Sequence, residues 1–179
     1  MKCLAEHPKV QDKLFKEVNE VLKGRNPTFE DFKELKYAFC VFKETLRLHS
    51  PVKATVKKNI EKVKLGDREF PKNTEFAIFF PAVHKDEKIW ENPNEFNPDR
   101  LMNGYNHSHL MSFSYGKRNC IGSKFAEVEG TIILCCLIQK FSIHFKEGID
   151  INEYKDEMQF ITTTPRNDLP FVLKRRKVE

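Results

Sequence analysis

Long hydrophobic runs are absent from this sequence. The longest uncharged apolar stretch, Thr131 to Ile138, is far short of the roughly 20 residues that span a bilayer, so no membrane anchor is expected within the chain. A dominant charge is absent too. Lysine and arginine number 31 against 26 aspartates and glutamates, a net charge of +5. The charges are dispersed apart from Lys174, Arg175, Arg176 and Lys177. So modest an excess points away from nucleic acid; the basic tail reads as a solvated terminus, a nuclear or phosphate-binding signal being the alternative. CxxC spacing and a secretory signal are also missing. The cysteines at positions 3, 40, 120, 135 and 136 form an odd set, which suits reduced thiols in a reducing compartment. No repeat or low-complexity segment occurs.

What is there suffices for one globular domain over residues 1–179, with 40% apolar and 32% charged residues. A soluble domain of this size buries roughly 70% of its unfolded surface. In HPKVQDKLFKEVNEVLKG, Val10, Leu14, Val18 and Val21 or Leu22 recur at helical spacing, and Gly24 closes the pattern. A second apolar pattern runs from Leu35 through Leu48 and ends at Pro51, so residues 1–50 are expected to hold two helices. Residues 54–80, rich in valine, isoleucine and phenylalanine and broken by Gly66-Asp67 and Pro71-Lys72-Asn73, are expected as short strands joined by turns. Residues 82–122 read as a long meander, with a helical turn near Lys88 to Trp90, ending in a loop around Cys120. A third helix is expected over residues 122–140, with Phe125, Val128, Ile132, Cys135 or Cys136 and Gln139 along one side. Its middle is apolar all round and requires neighbours on every face. Strands around a turn at Arg166-Asn167-Asp168, then the basic tail, complete residues 141–178. The expected class is mainly α with small β-sheets (α+β).

The most informative segment is FSYGKRNCIG, Phe113 to Gly122, which places one cysteine in a glycine-bracketed loop just before a strong helix. A thiolate needs stabilisation, and amide donors plus the positive end of a following helix provide it. Gly116 and Gly122 let the backbone turn tightly and bring amides close to the sulfur. Cys3, Cys40, Cys135 and Cys136 read instead as small buried hydrophobes. Glu44 and Arg47, three apart on the second helix, share a face and can pair. A His-x-His pair can bind zinc when other ligands converge, but nothing converges on His84, His107 or His109, which read as ordinary loop histidines.

F-x-x-G-x-R-x-C-x-G resembles the haem-binding signature of the cytochrome P-450 superfamily, and every fixed position matches. The resemblance implies the carboxy-terminal part of the P-450 fold, with Cys120 as the axial thiolate ligand of haem b. Such a ligand pushes electron density onto the iron and favours cleavage of bound dioxygen. Arg118 is then placed to pair with a haem propionate through its planar fork, and Phe113 to cover the sulfur and limit water. Lys57 and Lys58 stand near where family members often carry a propionate-contacting arginine; lysine is a point charge without the fork. Glu44 and Arg47 match the family's E-x-x-R helix, and Arg100 of FNPDR matches the third member of its buried Glu-Arg-Arg network. Asp99 stands where glutamate is usual and Leu101 where phenylalanine is usual. The segments HPKVQDKL, Phe70-Pro71-Lys72 and AVHKDEKIW extend the likeness over nearly the whole chain. Thr55, Val56 and Ile161 to Thr163 resemble segments that touch substrate, strand packing being the alternative. Lys117, Arg118 and Lys124 give a positive field suited to an acidic redox partner.

The family's enzymes are more than twice this long, and the A-G-x-D-T-T-like motif of their oxygen-side helix does not occur here. Two readings follow. One is a haem-thiolate monooxygenase that inserts one oxygen atom into an organic substrate with electrons from a reductase, this chain being its carboxy-terminal part. The other is a truncated, catalytically inactive remnant or incomplete gene model, in which Ile132, Ile133 and Leu137 leave an apolar patch. Eukaryotic members usually reside at the endoplasmic reticulum membrane; the sequence itself leaves compartment, substrate and reductase open.

Overall fold

The computed structural model describes residues 1–150, 157–159, 162–165 and 169–176. A proline dictates its first break. The residue before a proline is pushed out of helical geometry, and His7 sits at φ −127°, ψ 74°, between α1 (Lys2–Glu6) and α2 (Pro8–Leu22). Periodicity marks only the second of these. α2 buries Gln11, Leu14, Val18 and Leu22 along one stripe and closes on Lys23 and Gly24, both at positive φ, a left-handed helix stop. Gln11 is the polar member of that stripe. Its Nε2 donates to the carbonyls of Leu4 and Ile143, and its Oε1 accepts the Ile143 amide at 2.7 Å.

A 3-10 turn at Glu30–Lys33 leads into α3 (Lys36–Leu48). This helix has no side-chain cap from Leu35. Glu17 of α2 supplies one from a distance: its two carboxylate oxygens accept the Tyr37 and Ala38 amides at 2.7 and 2.8 Å, placing negative charge at the positive helix end.

α5 (Ser123–Lys140) packs on both α2 and α3. Its buried face is the expected one only in part: Cys135 and Gln139 are buried and Ile132 packs against the core, but Phe125 is not on it. Thr131, Cys135, Ile138 and Gln139 are buried, whereas Phe125 is 72% exposed. A helix that is apolar all round has no stripe from which to choose a face; close approach chooses it instead. A Cβ added at Gly130 would run into the Phe42 ring, so any larger residue there would require Phe42 to move. The neighbouring Thr131 hydroxyl is satisfied by donating to the Glu127 carbonyl at 2.7 Å. Lys43 and Glu127, both largely buried, then tie α3 to α5 at 2.7 Å. Cys3 and Cys135 lie buried among these helices, Cys40 lies buried against Trp90, Leu101 and Leu110, and burial pushes the Cys135 thiol up to about 12.

β1 (Ala54–Lys58) runs antiparallel to β4 (Glu75–Phe79), with Ala54 opposite Phe79, and the hairpin of β2 (Val63–Leu65) and β3 (Arg68–Phe70) lies between them in the chain. The strand does not hand over to a meander as expected. β4 passes directly into a short helix, α4 (Phe80–His84), whose Phe80 and His84 are buried. The turn near Lys88 to Trp90 does form, closed by the Ile89 and Trp90 amides on the Asp86 carbonyl. β5 (Phe141–Phe145) pairs with β8 (Phe171–Arg175), and β6 (Glu157–Gln159) with β7 (Thr163–Pro165). The Thr163 amide donates to the Pro51 carbonyl at 2.6 Å, which brings this segment beside the end of α3. Ile161, the turn at Arg166-Asn167-Asp168, and Lys177 lie outside the described residues. Among the described residues no helix is long and apolar enough to cross a membrane.

Candidate functional site

α3 carries a buried charged network. Glu44 and Arg47 are 0% and 1% exposed. Arg47 Nε and Nη2 each donate to the Glu44 carboxylate at 2.8 Å. Arg47 Nη1 donates at 2.6 Å to the carbonyls of both His84 and Pro93, and Nη2 to that of Glu95 at 3.1 Å. Arg100, from a 3-10 turn at Pro98–Leu101, donates to Glu44 at 3.1 Å and to the Glu91 carbonyl at 2.6 Å. Burying these charges is costly, and the cost is offset only because the hydrogen-bonding positions are so fully used. What the network accomplishes is to clamp residues 84–100 onto α3. Asp99, the departure noted in the sequence, instead pairs with Lys13 at the surface.

His84 is not the loop histidine expected. It is fully buried, and its Nε2 accepts the Met111 amide at 2.9 Å. Burial, reinforced by the nearby Arg47 charge, pushes its pKa down to about 4, so it is neutral. No periodicity marks a histidine for this position, and sequence reasoning missed it. Among the described residues no cluster could hold a metal ion through several histidines, cysteines or carboxylates.

From Met111 the chain reaches Cys120 through a series of tight turns. Ser112 is buried and its hydroxyl donates to the Leu46 carbonyl at 3.1 Å, tying the loop to α3. The Ser114 amide returns to the Met111 carbonyl at 2.7 Å, Gly116 turns the chain at φ +87°, and the Cys120 amide donates to the Phe113 carbonyl at 2.9 Å. α5 starts immediately afterwards, with Gly122 as its N-cap, no side chain capping it and no acidic residue in its first turn. Cys120, free and exposed, therefore stands just ahead of the uncapped positive end of an 18-residue helix. Gly122 has an ordinary φ of −83°. An added Cβ would lie at ordinary van der Waals distance, 3.8 Å, from the Cys120 sulfur, so space within the chain does not require glycine here.

The remaining predicted residues are distributed unevenly. Phe113 is half-buried and gives the loop its carbonyl, while its ring centroid lies 5.6 Å from the Lys43 ammonium. Lys57 reaches the loop, donating to the Arg118 carbonyl at 3.4 Å. Lys58 does not. Strand alternation turns it to the opposite face, where it lies 4.0 Å from Glu75. Thr55 is half-buried and Val56 is 63% exposed, again on alternate faces. Lys117, Arg118 and Lys124 are exposed, Lys124 lying over the Phe32 ring at 4.6 Å.

The family model described as cytochrome P-450 matches residues 1–171. The chain belongs to the cytochrome P-450 family. It is 35% identical over 182 residues to cytochrome P-450 4V2 of Mus musculus, an alignment covering 97% of this chain and 34% of the relative. Similarity to cytochrome P-450 709B1 of Arabidopsis thaliana is comparable, at 36% over 179 residues, covering 96% of this chain and 34% of the relative. A crystal structure of a cytochrome P-450 heme domain superposes with a TM-score of 0.85 at 26% identity, covering 98% of this chain and 39% of that one. The mixed fold of helices and small sheets is thus that of a P-450 haem domain over the shared part. The chain spans about a third of the length of these curated relatives.

The loop fits the group the family carries. A free, exposed thiol beside a helix N-terminus that no side chain caps suits a thiolate ligand.

Proposed function

We propose that this chain supplies the thiolate side of a haem monooxygenase, with Cys120 as the iron ligand. The observation that carries the reading is the placement of a free, exposed Cys120 at the uncapped start of α5. When bound, the haem supplies dioxygen activation, through which one oxygen atom enters an organic substrate. The chain's own residues hold and tune that site. The start of α5, with no side-chain cap and no acidic residue in its first turn, is a setting suited to an anionic ligand atom. Glu44, Arg47 and Arg100 clamp the meander and so fix where the cysteine loop begins. Arg118 and Lys57 bring positive charge for the propionates, and Phe113 shields the sulfur side from water. Lys117 and Lys124, with Arg118, present a positive surface to an acidic electron donor. Thr55, Val56, Thr162 and Thr163 are the described positions offered to substrate.

A catalytically inactive family member is the second reading. It is favoured by the apolar side chains that α5 exposes, Phe125 at 72% and Ile133 at 53%. One experiment separates them. The purified chain is loaded with haem, reduced and exposed to carbon monoxide. A red-shifted Soret band of the thiolate type is expected, lost in Cys120→Ala without loss of helical circular dichroism. Identical spectra for the two proteins would refute the ligand assignment, and a thiolate band without substrate turnover in the presence of a reductase would favour the inactive reading.

A further inference from the structure

We infer that His84 is a positioning residue for the Cys120 loop, acting through the hydrogen bond that its Nε2 accepts from the Met111 amide. The inference rests on the reading of Cys120 as ligand, but its geometry stands apart from it. A backbone N–H can only donate, so Nε2 is unprotonated and the imidazole proton sits on Nδ1. That Nδ1 is buried and lies near the Arg47 backbone carbonyl, but too poorly aligned to form a hydrogen bond. An apolar side chain of similar size would fill the space without burying an unpaired donor. The imidazole therefore brings one thing that packing alone would not, the 2.9 Å bond to Met111.

That bond joins two parts of the site. On one side, the His84 carbonyl accepts Arg47 Nη1 at 2.6 Å, anchoring the residue to the buried Glu44–Arg47 network. On the other, Met111 opens the turn whose Phe113 carbonyl receives the Cys120 amide at 2.9 Å. Met111 and Ser112 are successive residues, held respectively by His84 and by the Leu46 carbonyl. Loss of the first tie leaves the start of the loop pinned through one hydroxyl, with Lys57 on the Arg118 carbonyl further along. The charged groups acting on the imidazole, Arg47, Lys53 and Lys43, are all cationic and disfavour its protonation, which keeps Nε2 available as an acceptor.

Two variants of the full chain separate this role from space filling. The amide of His84→Gln extends to the position of Nε2 and can accept; that of His84→Asn reaches only the position of Nδ1 and cannot. Hydrogen exchange of the Cys120 amide is read against that of Val18 in α2, in haem-free protein. In His84→Asn the Cys120 amide is expected to exchange about tenfold faster relative to Val18, in line with loss of one hydrogen bond. His84→Gln is expected to stay near the unmodified chain. After haem loading, the thiolate-type Soret fraction should fall in His84→Asn and persist in His84→Gln. The inference is overturned if His84→Asn matches the unmodified chain, or if His84→Gln is no better than His84→Asn, including the case in which neither folds. A missing thiolate band in the unmodified chain would instead sink the ligand assignment, leaving the exchange contrast to decide the role of His84.

Discussion

Arg47→Lys keeps the charge of the buried network and removes only the fork, so it isolates what the fork contributes. Arg47 serves both oxygens of Glu44 and the carbonyls of His84, Pro93 and Glu95. A lysine ammonium has three donors on one atom. It can stay on Glu44 and reach one or two carbonyls, leaving at least one or two buried acceptors unmet. Each unmet buried acceptor costs roughly 1–3 kcal/mol, so the substitution is expected to destabilise the chain by about 3 kcal/mol. Packing adds to this, because the guanidinium lies 5.1 Å from the Trp90 ring centroid and a lysine cannot stack as a plane. Urea unfolding at pH 7, followed by circular dichroism, measures the difference. Against a total stability of roughly 5–15 kcal/mol typical of a domain, the midpoint should drop clearly while a folded baseline remains. A loss below about 1 kcal/mol, the scale of an exposed ion pair, would refute the argument that the carbonyls depend on Arg47. Arg47→Ala, which leaves the Glu44 charge buried with less compensation, is expected to cost more, about 3–5 kcal/mol or complete unfolding.

Two further predictions follow from single buried polar groups. The pKa of His84 is lowered in the folded chain from its ordinary 6.5 to about 4. The folded state thus rejects a proton that the unfolded state accepts. The stability this represents, about 3 kcal/mol, is present above pH 6.5 and is lost as pH falls toward 4. Urea midpoints taken between pH 7 and pH 4.5 should fall more steeply for the unmodified chain than for His84→Gln; parallel slopes would show that His84 does not titrate in this way. Gln11→Leu preserves shape but deprives the Ile143 amide and the carbonyls of Leu4 and Ile143 of their partner. Thermal unfolding should report a loss of about 2 kcal/mol, and an unchanged melting temperature would mean that α1 and β5 do not depend on this side chain.

The helices that periodicity marks, α2 and α3, form where the apolar spacing puts them, because a one-sided stripe needs only a neighbour to bury it. α5 was legible as a helix and its orientation only in part, at Cys135 and Gln139 but not at Phe125. Its contact face was decided by Gly130 meeting Phe42 and by Lys43 reaching Glu127, contacts between residues far apart in the chain. α4 was hidden for another reason: five residues, Phe80–His84, are too few to display a period. Lys57 and Lys58 looked equivalent as neighbours in sequence, and strand alternation separated them.

By itself the sequence determined the immediate frame of Cys120. The turn at Gly116 and the start of α5 both lie within a few residues of the cysteine, and local backbone rules suffice to specify them. Where that frame is held was decided only by the tertiary structure. The bond from Met111 to His84 joins residues 27 apart, and that from Ser112 to Leu46 joins residues 66 apart. Both accompany the Glu44–Arg47–Arg100 network, which holds α4 and the meander against α3. A histidine in sequence gives no sign of this, since its burial and its protonation state come from neighbours that folding supplies.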